Sequence, residues 1–174
     1  MSPGRRLRNA ALIIFGCIAL DQATKEWALN SLSDGSTFEV LPTVEFDLAF
    51  NSGFSFSTGS GNGNLVGLLV IALSIFIAWQ IWHEERTVRT YLYAMILGGA
   101  VGNLLDRLFR ADDGFLSGEV VDFIDVSWYA VFNIADAFVV CGCVLFVLDE
   151  LIRGRRAIKA EAEMTAMGDE PAIS

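Results

Sequence analysis

Residues 65–82, LVGLLVIALSIFIAWQIW, run for 18 positions without a charged side chain. That run constrains the fold more than any other feature of the chain. A bilayer core of about 30 Å is crossed by about 20 apolar residues in a helix, so an uncharged stretch of this length predicts a membrane span. Thr90–Leu105 is likewise uncharged, and Val126–Leu148 is apolar except for Asp136. Hydrophobic residues make up 53% of the 174, too many for an ordinary soluble domain and enough for several spans.

The first apolar segment is shorter. AALIIFGCIAL, 11 residues after RRLR, stops at Asp21 and is followed by DQATKEWALN. A signal-peptide core has similar length and flanks. No small-x-small site follows, Phe15 is bulky where a cleavage box carries a small residue, and Ala23–Leu29 continues a helical pattern. A retained first span is expected, giving four in all.

Basic residues orient the spans. Arg5, Arg6 and Arg8 precede the first, Arg86 and Arg89 lie between the second and third, and Arg153, Arg155, Arg156 and Lys159 follow the fourth. The segment from Asn30 to Asn64 holds no Lys or Arg. The positive-inside rule therefore places both termini in the cytoplasm and both long loops outside. Trp27 and Trp128 fall at outer ends, and Trp79, Trp82, Tyr91 and Tyr93 at inner ends, as interface anchors do.

The expected architecture is an all-α membrane protein of four transmembrane helices with a small β-rich extracytoplasmic loop region, because TFEVLPTVEFDLAF alternates in places like strands. The membrane domain is residues 1–160. Residues 161–174 read as an acidic, solvated and disordered cytoplasmic tail. A net charge of −9 offers no basic stripe for nucleic acid. Cys17, Cys141 and Cys143 lie in apolar segments, and His83 is the single histidine, so neither a zinc site nor a histidine triad is expected.

This topology gathers the unusual polar residues in one leaflet. Asp21 and Lys25 lie four apart on one face of the first span. Asn103, Asp106 and Arg107 end the third. Asp122 and Asp125 lie in the second outer loop. Asn133 and Asp136 open the fourth, with Asp136 two turns in, about 10 Å deep at 1.5 Å per residue. A carboxylate at a helix centre costs roughly 2.5–3.5 kcal/mol on insertion scales, which makes the default reading functional. GGAVGNLLDR adds Gly98 and Gly102, four apart, a spacing that lets a neighbouring helix approach closely.

Two carboxylates in a partly dry site share a proton, so that one activates water while the other protonates. The candidates are Asp21, Asp106, Asp122, Asp125 and Asp136. Depth favours Asp136, Asp106 reads as an ion pair with Arg107, and spacing does not choose between Asp122 and Asp125. Two rivals are weaker. A serine–lysine peptidase, using Lys25 with Ser52, Ser55 or Ser57, needs a neutral lysine that Asp21 opposes. A proton relay needs polar groups in both leaflets.

DQATK at 21–25, NSGFSFS at 51–57, GNLLDR at 102–107, VVDFID at 120–125 and FNIAD at 132–136 resemble, in order, the motifs of the lipoprotein signal peptidase (signal peptidase II) family across residues 8–152. The resemblance implies an inner-membrane aspartic peptidase that cleaves before the diacylglyceryl-modified cysteine of prolipoproteins and is a target of the antibiotic globomycin. It implies Asp122 and Asp136 as the catalytic pair. Asp21, Lys25, Asn51, Gly53, Asn103, Asp106, Arg107 and Asn133 match supporting positions. No cofactor or metal is implied. The expected partners are a prolipoprotein substrate and membrane lipid, with the enzyme a monomer. FRADDGFLSGE, between the third span and VVDFID, is longer than in the family, and Phe54 replaces a small residue.

Overall fold

The computed structural model describes residues 1–52, 63–111 and 114–168. In chain order it has α1 (Pro3–Leu32), β1 (Phe38–Leu41), β2 (Val44–Asn51), α2 (Gly63–His83), α3 (Thr87–Phe109), β3 (Val120–Val126) and α4 (Ile134–Gly168). The helices pack as a bundle, and the strands form one antiparallel sheet of order β1-β2-β3.

By length and composition α2 and α3 can cross a membrane. At 30 and 35 residues, α1 and α4 are longer, but charges interrupt their apolar stretches. In α1 these are Asp21, Lys25 and Glu26; in α4 they are Asp136 and the basic end beyond Leu148. Four helices thus stand where four spans are expected, and two of them, α2 and α3, are long and apolar enough to cross a membrane.

One end of the bundle is held by Ala10, Ile77, Ile81, Ala94, Ile96 and Leu97, with Leu7, Ile14, Tyr93 and Val139 packed around them. Small residues set the helix spacing. A Cβ added at Gly98 lies 2.6 Å from Cys17 Cβ, and one at Gly142 lies 2.6 Å from Ile96 Cγ1. Neither site has room for a side chain, so α3 packs against α1 and α4 at nearly backbone contact.

At the other end, α1 stops at Leu32, where Gly35 takes the left-handed conformation (φ +81°) that turns the chain toward β1. Leu41 and Val44 pair across the two-residue turn at Pro42-Thr43. Trp27, Phe46 and Phe123 meet with ring centroids 5.2–6.1 Å apart, and Phe123 is buried against Ala28 and Leu32. These aromatics dock the sheet on the end of α1.

Two expectations change here. Residues 126–133 are not helical: Tyr129 N–H donates to Val126 O at 2.7 Å, and Phe132 forms an isolated bridge with Ile124. α4 therefore begins at Ile134, and Asp136 lies in its first turn, not two turns deep. At the far end α4 continues through Gly168, so residues 161–168 of the expected disordered tail are helical. An exposed run such as Lys159–Glu163, paired at i,i+4, sustains helix without burial.

Candidate active site

The sheet register places Asp122. β2 and β3 pair as Phe46↔Ile124 and then Ala49↔Asp122, so three steps on β2 match two on β3. This bulge puts Asn51 on the same face as Asp122, one diagonal away. Asn51 Nδ2 donates to Asp122 Oδ2 at 3.1 Å. Asp122 is 2% exposed. Asp125 lies three residues on, on the opposite face and half-buried.

The helix start places Asp136. Asn133 precedes α4 as its cap, and its Oδ1 accepts the Asp136 N–H at 3.0 Å. Asp136 Oδ2 in turn accepts the Asn133 N–H at 3.2 Å. This is a reciprocal capping box closed by a carboxylate three residues after the cap. The Asn133 Nδ2 group points the other way and donates to Asp122 Oδ1 at 2.6 Å. One buried asparagine therefore holds both carboxylates.

Lys25 organises the next layer. Its ammonium has three hydrogens and three acceptors: Asp21 Oδ2 at 2.9 Å, Asp106 Oδ2 at 2.8 Å and Asn103 Oδ1 at 2.8 Å. Lys25, Asp21 and Asp106 are all sealed from solvent. With its oxygen held by Lys25, Asn103 turns its Nδ2 to Asp136 Oδ1 at 2.8 Å. Lys25 thus acts on Asp136 through Asn103, and together with Asn133 Nδ2, 3.0 Å from the same oxygen, fixes which end of that amide faces the carboxylate.

The acids beside Lys25 also tie the elements together. Asp21 Oδ1 accepts the Ala135 N–H at 3.0 Å, joining α1 to the first turn of α4. Asp106 Oδ2 accepts the Val121 N–H at 3.2 Å, joining α3 to β3 beside Asp122. Gly102 makes the approach possible: a Cβ there lies 2.6 Å from Asp21 Oδ2 and 3.3 Å from Ala135 Cβ. Gly99 faces Ala135 O and Val139 of α4.

Burial raises the Asp122 carboxyl to about 7, helped by the neighbouring Asp136 charge, against the lowering effect of the Asn51 and Asn133 hydrogen bonds. At neutral pH this carboxyl holds a proton for much of the time. Arg107, 4% exposed, lies close enough to act electrostatically on Asp106, Asp122 and Asp136.

Asp21, Lys25, Asn51, Asn103, Asp106, Arg107, Asp122, Asn133 and Asp136 all fall in this cluster, while Gly53 lies outside the described residues. Asp106 has nearer partners than the Arg107 expected for it, though Arg107 still acts on it electrostatically. Adjacent helical residues point about 100° apart, and Asp106 pairs with Lys25 and with Arg110 Nε, at 3.1 Å one turn on. Gln22 was not anticipated. Its Nε2 lies 3.1 Å from Asp21 Oδ2, 3.1 Å from Gly102 O and 3.2 Å from Asp106 Oδ1, bridging α1 to α3. Only its place next to Asp21 in DQATK signals it.

Two carboxylates tied to one asparagine where a helical bundle meets a small sheet are an arrangement that suits a membrane aspartic peptidase. A family model described as signal peptidase (SPase) II matches residues 13–152. The chain belongs to the signal peptidase II family, the lipoprotein signal peptidases. The lipoprotein signal peptidase of Bifidobacterium adolescentis is 40% identical over 149 residues, covering 83% of this chain and 79% of its own. That of Mycobacterium avium is 40% identical over 150 residues, covering 84% and 80%. A bacterial membrane enzyme solved by the in meso method at 1.9 Å superposes with a TM-score of 0.70 at 27% identity, covering 82% of this chain and 92% of that one. A second, at 2.3 Å, shares the fold with a TM-score of 0.70 at 24% identity, covering 95% and 94%. The protein is an aspartic peptidase that processes prolipoprotein signal peptides. With its two apolar helices it is a multi-pass inner-membrane protein.

Proposed function

We propose that Asp122 and Asp136 are the catalytic dyad and that the substrate is cut on the amino side of its diacylglyceryl-modified cysteine. The observation that carries this is Asn133, which binds one oxygen of each carboxylate. Asp122 brings the proton, and Asp136, at the positive end of α4, acts as base. Asp136 takes a proton from water as the hydroxide attacks the scissile carbonyl. Asp122 gives its proton to the carbonyl oxygen. The tetrahedral diol then collapses: a proton passes to the leaving nitrogen, the C–N bond breaks, and the signal peptide leaves with a new carboxyl group.

Asn51, Asn103 and Asn133 position the dyad. Asp21, Lys25 and Asp106 hold the helices and strand that carry it, and Arg107 balances its charge. Gly53 matches a supporting position of the family. All four helices cross the bilayer with both termini cytoplasmic, which puts the dyad at the outer leaflet. A substrate entering from the side then keeps its acyl chains in lipid. The enzyme works as a monomer, since one chain supplies every group named.

Purified Asp122→Asn and Asp136→Asn variants should each lose cleavage of a diacylglyceryl-modified prolipoprotein while remaining folded. Asn preserves shape and hydrogen bonding but moves no proton. Asp125→Asn, on the other face of β3, should keep substantial activity. Wild-type turnover by a folded Asp136→Asn protein would rule out the dyad.

A further inference from the structure

Arg6 is the buried cation that the site does not use. It lies in the first turns of α1, is 8% exposed, and its Nε has no hydrogen-bond partner among the described residues. Among those residues it also forms no ion pair, whereas Lys25, fully enclosed, is fully paired. A buried guanidinium needs an anion, because desolvation without compensation is costly.

The surroundings favour a negative group from outside the chain. α1 and α3 begin side by side: Asn9 Nδ2 donates to Tyr91 Oη at 2.9 Å, and Tyr91 Oη meets Met1 Sδ at 3.6 Å. Neither helix has a side-chain cap or an acidic residue in its first turn, so the first-turn N–H groups of two neighbouring helix starts lie at the end of the bundle that holds Arg6. The acids at this end have other partners, and Glu84 Oε1 also accepts the Arg86 N–H at 2.9 Å just before α3. Glu84 pairs with Arg86 and Arg89, and Asp149 and Glu150 pair with Arg89 and Arg153. Glu85 is exposed. Arg5 and Arg8, exposed on either side of Arg6, extend the positive field outward.

We propose that Arg6 and the adjoining N-terminal turns of α1 and α3 bind the phosphate of an anionic phospholipid in the inner leaflet. The leaflet rests on the orientation given above; the binding itself does not. A guanidinium fork suits phosphate oxygens, and free backbone N–H groups at helix starts add donors. Inner-leaflet headgroups lie at the depth where α1 and α3 begin. A soluble phosphate has the same chemistry but gains nothing from the apolar helix surfaces beside the site.

The test uses the full chain purified in a zwitterionic detergent and titrated separately with phosphatidylglycerol, phosphatidylcholine and inorganic phosphate. Bound lipid is counted by native mass spectrometry and melting temperature is followed alongside. Phosphatidylglycerol should bind and raise the melting temperature, phosphatidylcholine should bind more weakly, and inorganic phosphate should have little effect. Arg6→Gln should weaken phosphatidylglycerol binding roughly tenfold, the loss of one charge-assisted contact, and Arg6→Lys should retain part of it. Arg156→Gln, on the exposed end of α4, should bind as the wild type does. Equal wild-type affinity for the two lipids would overturn the proposal even if Arg6→Gln failed to fold, as would unchanged binding by a folded Arg6→Gln. Stabilisation by inorganic phosphate as strong as by phosphatidylglycerol would refute the lipid. Prolipoprotein cleavage by each variant in the same detergent is a separate readout, so failure here leaves the peptidase assignment standing.

Discussion

Replacing Lys25 with Met removes the cation that three buried groups share. Methionine has similar length and is compatible with the helix, so backbone and packing change little. What changes is charge. Asp21 keeps the Ala135 N–H and Gln22, and Asp106 keeps the Val121 N–H, Gln22 and Arg110, but each loses its contact with the ammonium at 2.8–2.9 Å. Removing one partner of a buried ion pair costs about 3–5 kcal/mol. At roughly 2–4 °C per kcal/mol for a domain of this size, the melting temperature should fall by about 6–20 °C. Asn103 loses the stronger of the two donors that orient its amide and keeps only Asn133 Nδ2 at 3.0 Å, so its Nδ2 is held less firmly on Asp136, and turnover should fall further than KM rises. The assays are thermal unfolding in detergent and steady-state cleavage of a lipid-modified prolipoprotein. Lys25→Met combined with Asp106→Asn removes one stranded carboxylate and should recover part of the stability without restoring activity. If Lys25→Met melts with the wild type, or the double variant is the less stable, the ammonium is not what compensates these acids.

Other consequences can be measured on the same footing. The Asp122 carboxyl, raised to about 7, binds its proton more tightly folded than unfolded, so its contribution to stability is full below about pH 4 and is lost as pH rises through about 7. Asp122→Asn should flatten that decline in thermal unfolding measured from pH 4 to 8; an unchanged pH slope would contradict it. Wild-type turnover should fall on the alkaline side as this proton is lost, giving one limb of a bell-shaped profile. Gly102→Ala places a methyl group 2.6 Å from Asp21 Oδ2, so about 1–3 kcal/mol of overpacking and reduced activity should appear in melting and cleavage assays. Gly102→Leu should do worse, and a stable, active Leu variant would show that this face does not pack on α1. Phosphatase fusions after Asp34 and after Gly118 should be active and one after Glu85 inactive; activity at Glu85 would reverse the topology.

Much of this protein is legible in local sequence because bilayer physics is local. An uncharged run of helical length has few options in lipid, so α2 and α3 follow from their own residues, and the alternation around Pro42 announces a hairpin. Polar residues in apolar surroundings are equally conspicuous, which is why Asp21, Lys25, Asn103, Asp106, Asn133 and Asp136 stand out before any contact is known. Their pairing is another matter. Asp122 and Asp125 are indistinguishable along the chain; the β2 bulge and the burial of the first half of β3 on both faces separate them. Arg107 is the nearest cation to Asp106 in sequence, yet the ion pairs of that carboxylate are with an ammonium 81 positions away and with Arg110 one turn on. Asp136 lies deep if Val126–Leu148 is read as one helix, but a strand and a capping asparagine move the helix start to Ile134. Apolarity along one segment is a property of that segment. The partner of a buried charge depends on which distant backbones approach, and that is settled only when glycines such as Gly102 let the helices close on one another.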